Sequence, residues 1–144
     1  MRPAVLPRSL VRRARDDSGA VAVEFVLIAP ILLALVFGII TVGYFMGLTH
    51  SIHQLATGAA RASVAGLDAT ERAALAQEYL DEGSRRYPLL VQTSVDPTIT
   101  IESGEVPAIS VEVRYDLDGS LLEIANGFLG MNMQTLERTA YLAY

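Results

Sequence analysis

The sequence predicts an α+β chain: a long N-terminal helix able to cross a bilayer, a second helix, and a small antiparallel sheet of three or four strands. Three observations predict it. Residues 25–48 form a run of 24 residues without a formal charge, FVLIAPILLALVFGIITVGYFMGL. Beyond the run, Ile52, Leu55, Ala59 and Ala62 recur at intervals of three and four, the spacing of one helix face. Nearer the C-terminus, Ile109, Val111, Val113 and Tyr115 alternate with Ser110, Glu112, Arg114 and Asp116, the period of a half-buried strand.

The first element is a basic leader, residues 1–19. Arg2, Arg8, Arg12, Arg13 and Arg15 stand against Asp16 and Asp17, a net charge of about +3; since the whole chain carries −5, the remainder carries about −8. Arginines flanking an apolar run stay cytoplasmic, so the expected orientation is N-terminus inside and C-terminus extracytoplasmic, with the chain held as a single-pass protein in the inner (cytoplasmic) membrane. A strongly acidic outer part repels nucleic-acid phosphates, which excludes DNA or RNA as a partner. The absence of Cys removes disulfides, thiolate zinc sites, a cysteine nucleophile and cysteine lipidation together.

The second element, residues 20–48, is the span. Twenty-four helical residues reach roughly 36 Å, more than the ~30 Å hydrocarbon core requires. A soluble core helix rarely stays apolar on every face. A cleaved secretory signal has a shorter apolar region and ends at a small-residue site, which is missing here. Arg12-Arg13 lacks the flanking residues of a twin-arginine signal. Pro30 removes one backbone donor inside the run and is expected to kink or loosen the helix. Gly43-x-x-x-Gly47 is a small-xxx-small pair that lets another helix approach closely.

The third element, residues 49–86, continues the helix along the Ile52 face, with Ala56, Ala60 and Val64 as a parallel row of small residues. Asp68-x-x-Glu71 is a capping box that opens a second helix through about Glu82, with Gly83 just past its end and Pro88 beyond. The fourth element, residues 87–144, is β-rich. Val91, Thr93 and Val95 alternate, Asp96-Pro97 reads as a turn, and Ile99 and Ile101 follow. A loop around Ser103-Gly104-Glu105 precedes the strand at Ile109. Leu121–Phe128 forms a short helix or loop insertion, and Met133–Tyr144 a final strand.

Chemistry-bearing patterns are sparse. His50 and His53 share a helix face but lack a third ligand, so they read as polar residues just past the span. Asp116-x-Asp118-Gly119 has its glycine two positions early for a calcium loop and Gly127 where the twelfth ligand belongs, so it reads as a turn. Catalytic and phosphate-cradling motifs are absent from the sequence, and Asp81-Glu82 falls on a solvated helix face. The expectation is a chain with no enzymatic activity and no cofactor or metal.

Function therefore concentrates at the start of the span. Glu24 is a carboxylate at the edge of the run, preceded by Ala20-Val21-Ala22-Val23. On position alone it can simply mark the cytoplasmic end of the helix, since a charge at the bilayer edge costs less than one at its centre. Gly19, however, stands directly between the basic leader and the apolar segment. A cut between Gly19 and Ala20 would create an α-ammonium at Ala20 and make Glu24 the fifth residue. In a bundle of staggered helices, that carboxylate can pair with a neighbour's ammonium and favour lateral assembly over isolation in lipid.

Arg12-Arg13-Ala14-Arg15-Asp16-Asp17-Ser18-Gly19, followed by Ala20-Val21-Ala22-Val23-Glu24-Phe25, Pro30 and a Leu/Ile-rich run, resembles the TadE-like minor pilins (pseudopilins) of tight-adherence, or Tad/Flp, type IV pili. The resemblance covers residues 12–45. It implies cutting after Gly19 by a membrane-embedded prepilin peptidase, Ala20 as the new N-terminus, and Glu24-Phe25 as the recognition and assembly pair. It implies as partners the peptidase, other pilins, Tad assembly-platform membrane proteins and the lipid bilayer, and a role in pilus assembly and surface adherence. Thr41-Val42-Gly43-Tyr44 departs from the acidic-aromatic pair that many relatives carry beside this glycine. Two alternatives stand beside it: an unprocessed, signal-anchored envelope protein whose outer domain binds a partner, and a membrane-tethered enzyme, for which the sequence offers no convergent polar site.

Overall fold

The computed structural model describes residues 17–144 except Glu105 and Met131. The basic leader up to Asp16, with its five arginines, lies outside the described residues. Helix α1 (Asp17–Ala62) is followed by a 3₁₀ turn at Ser63–Ala65, then α2 (Ala69–Asp81), α3 (Gly83–Arg86) and a second 3₁₀ turn at Gln92–Ser94. Strands β1 (Val95–Glu102) and β2 (Ala108–Asp116), helix α4 (Leu121–Leu129) and strand β3 (Thr135–Ala143) complete the α+β chain. Two compact units divide it between Ile40 and Thr41.

The first unit is the N-terminal part of α1. The helix continues through Pro30, and its large apolar residues, from Val21 through Leu35 to Ile40, are all exposed. α1 is the one helix among the described residues long and apolar enough to cross a membrane. Length and composition make it a candidate membrane span.

The second unit, Thr41–Tyr144, is a helix-on-sheet module. On α1, Leu48, Ile52, Leu55, Ala56, Ala59 and Ala60 are buried, as their three- and four-residue spacing requires. They join Ala76 and Leu80 of α2 and the inner face of the sheet (Ile109, Val111, Val113, Tyr115, Leu136, Ala140) in one core. Val64 leaves the small-residue row that contains Ala56 and Ala60: the α-helix tightens to 3₁₀ at Ser63, which rotates Val64 outward and Ser63 inward. The buried Ser63 hydroxyl donates to the Ala60 carbonyl at 2.7 Å, satisfying a group that would be costly to leave unpaired.

The sheet has three antiparallel strands in the order β1-β2-β3, paired from Val95↔Tyr115 to Glu102↔Ala108 and from Asp116↔Thr135 to Ala108↔Ala143. Central β2 alternates buried and less buried positions as its sequence predicts. Two local expectations are corrected. Val91–Ser94 is not strand: Gln92–Ser94 forms a 3₁₀ turn. Asp96-Pro97 is not a turn but part of β1, with Pro97 opposite Val113. β1 is an edge strand of the sheet, a position where a strand tolerates proline.

α2 begins as the capping box predicts: Asp68 Oδ1 accepts from Glu71 N at 2.8 Å, while Glu71 Oε2 accepts from Leu67 N, one residue ahead of the cap, at 2.8 Å. α2 ends at Asp81 with Gly83 just past it, as expected. Gly83 also opens α3, buried where a Cβ would meet Leu55 Cδ2 at 3.1 Å. Gln92 ties this junction together: its Nε2 donates to Leu80 O and its Oε1 accepts from Ser84 N, both at 3.0 Å.

Candidate functional site

The site predicted from sequence lies on the N-terminal part of α1 as described. Gly19 is helical, and a Cβ placed there would meet nothing within 4 Å. Ala20 to Phe25 are all exposed, Phe25 to 68%. Ala20 and Glu24 are four residues apart, hence on one helix face, and helical side chains lean toward the N-terminus. The Glu24 carboxylate therefore leans over the turn that starts at Ala20. Among the described residues Glu24 has no ion-pair partner, and its nearest neighbours along the helix are apolar. Such a carboxylate is held in an apolar setting at a cost that a cationic partner offsets.

The two packing glycines differ. Gly43 is open, with nothing near a notional Cβ, whereas at Gly47 a Cβ would meet Leu89 Cδ1 at 2.9 Å. The chain's own Leu89 thus occupies the face of Gly47 that the sequence offers to another helix, and Gly43 alone of the pair stays bare.

The two histidines border a shallow cavity of about 430 Å³ that also takes in Gln54, Arg61, Tyr79 and Tyr87. His50 Nε2 lies 2.6 Å from Gln54 Nε2, and the Tyr79 and Tyr87 hydroxyls stand 3.5 Å apart. Burial, then the hydrogen bond to Tyr79, pushes the Tyr87 phenol up to about 12 from its usual 10.0, which keeps it protonated near neutrality. The cavity wall carries no carboxylate, and no cluster of three or more His, Cys, Asp or Glu side chains able to hold a metal ion occurs among the described residues. Asp116 and Gly119 form the expected turn: Asp116 Oδ1 accepts from Asp118 N at 3.1 Å, and Gly119 takes φ +74°.

Sequence reasoning passed over the outer face of α4. Ser120 caps this helix by accepting from Leu122 N, and Leu122 and Ala125 face the core. Leu121, Ile124 and Phe128 are left 51%, 71% and 88% exposed. Their spacing of three and four is legible as one stripe, but only the structure shows that the other stripe, through Leu122 and Ala125, is the buried one.

A bare apolar helix that continues into a helix-on-sheet module defines a class: an α+β protein with a single candidate span. Residues 19–61, all within α1, match the model of the family described as TadE-like protein. Over that helix the chain is similar to TadE-like proteins. No curated protein and no solved structure matches the chain.

Proposed function

We infer that this chain is a minor pilin, or pseudopilin, of a Tad-type pilus. The leader stays in the cytoplasm, residues 20–48 span the inner membrane, and the module beyond, helical to about residue 86 and β-rich from 87, lies outside the cytoplasm. A prepilin peptidase hydrolyses the Gly19–Ala20 bond, leaving a carboxylate on the leader and an α-ammonium on Ala20. The observation that carries this reading is the conjunction of Gly19, Glu24 and Phe25 on a helix whose large apolar residues from Val21 to Ile40 are exposed. The residue before the bond favours cleavage, because a glycine weakens a helix by about 1 kcal/mol relative to alanine.

Once cut, the subunit has an ammonium at Ala20 and a carboxylate at Glu24, both costly in an apolar environment. Pairing Glu24 with the ammonium of a neighbouring, axially displaced subunit removes both costs at once. Phe25 beside it presents apolar surface to the same neighbour, and the bare Gly43 and the Pro30 region offer close approach for partner helices. Other pilins and the Tad assembly platform are the partners, and the role is structural, with no catalysis and no cofactor, in pilus assembly and surface adherence.

The test is Glu24→Ala in the native host, with processing followed by mass and assembly by recovery in sheared surface fractions. The expected outcome is a subunit cut after Gly19 but not recovered in the surface fraction. Normal recovery of the variant would remove the role assigned to Glu24.

A further inference from the structure

We propose that α4 is a membrane-interface helix, its Leu121–Ile124–Phe128 stripe seated in the headgroup and upper acyl region beside the outer end of the span. Three observations place it there, all within the unit Thr41–Tyr144. First, the last residues of the apolar run, Thr41–Leu48, belong to this unit, and Val42 and Met46 on it remain exposed. Second, one end of the sheet is level with those residues. Tyr44 packs against the core cluster that contains Tyr115, near the C-terminal end of β2. The Tyr115 hydroxyl accepts from Val91 N at 3.2 Å, and Leu89 sits on Gly47. Third, α4 is the connection made at that same end, between Asp116 of β2 and its partner Thr135 of β3.

The stripe has the chemistry of a bilayer surface. Leu121, Ile124 and Phe128 fall within an arc of about 60° on a 3.6-residue helix, centred about 100° around the axis from the buried Leu122 and Ala125. Glu123 is the only charged residue of α4, and its Oε2 is tied back to Gly119 N at 2.6 Å, at the helix's own start. Without Lys or Arg on the helix, insertion is apolar and makes no demand for anionic lipid, unlike basic interfacial helices. Leu89 and Val91, at the same end, are exposed as well. At the other end of the module, the exposed Leu67 stands beside Asp68 and Glu71, and Arg72 covers Tyr144 at 4.0 Å from the ring centroid. The consequence is a second contact with the bilayer that orients the module instead of leaving it to swivel on α1.

The proposal rests on α1 being a bilayer span and not on the pilin reading. The chain has no Trp, so single-tryptophan variants report cleanly. Full-length Phe128→Trp, Leu35→Trp and Leu67→Trp are reconstituted singly in phosphatidylcholine nanodiscs, one protein per disc, with lipid brominated near the headgroup end of its acyl chains or left unbrominated. Phe128→Trp is expected to emit at shorter wavelength than Leu67→Trp and to lose much of its emission in brominated discs, while Leu67→Trp is unaffected. Red, unquenched Phe128→Trp emission alongside a quenched Leu35→Trp would overturn the interface helix and leave the span standing. Blue but unquenched emission would mean that protein covers the stripe, and would overturn it too. An unquenched Leu35→Trp would overturn the span and the proposal together.

Discussion

Leu89 closes over Gly47: a Cβ on the glycine would stand 2.9 Å from Leu89 Cδ1, whereas Gly43, one turn earlier, faces nothing within 4 Å. Two glycines of one motif thus do different work, one receiving a side chain of the outer module and one left open toward lipid or another helix.

Substitution separates the two. Gly47→Leu is expected to lower the stability of the outer module by about 1–3 kcal/mol, the usual cost of overpacking, because Leu89 must move. Gly43→Leu is expected to leave stability unchanged while weakening helix association. Thermal unfolding in detergent, paired with crosslinking in membranes, reads both quantities.

Tyr115 is 2% exposed, and its hydroxyl accepts from Val91 N. Tyr115→Phe keeps the ring packing and deletes that acceptor, so a loss of about 1 kcal/mol is expected. Chemical denaturation in detergent measures it, and hydrogen exchange should locate the loosening around Val91.

Tyr87 supplies a pH dependence. Its phenol is raised to about 12 in the folded chain from 10.0, so the folded state holds this proton more tightly than the unfolded one. The resulting stabilisation is complete below pH about 10 and is lost as pH rises toward 12. Tyr87→Phe is expected to flatten the alkaline fall in melting temperature across that window without altering the melt at neutral pH by a comparable amount.

Much of the fold was legible because it is written in local codes. The span follows from an uninterrupted apolar run, the start of α2 from Asp68 and Glu71, and β2 from strict alternation between Ile109 and Asp116. The failures are tertiary. Pro97 is tolerated because β1 lies at an edge, and strand order is not a local property. The closeness of Gly83 to Leu55, and the bond from Gln92, nine residues on, to Leu80 O, are contacts no local pattern announces. At the candidate site, Gly19, Glu24 and Phe25 are proposed from the junction of leader and span in the sequence. That Gly47 is filled from within, and that α4 turns Phe128 outward, depends on how distant segments pack.

The central claim is that α1 carries a peptidase cut after Gly19, and the most direct measurement is the N-terminal residue of the protein. Intact mass and N-terminal peptide analysis on membrane and sheared surface fractions of the native host supply it. The expected result is a chain beginning at Ala20, with Gly19→Leu accumulating as uncut precursor. A chain that still begins at Met1 or Arg2 in cells expressing a prepilin peptidase, or a Gly19→Leu variant of normal mature length, would contradict the claim and leave α1 an ordinary membrane anchor.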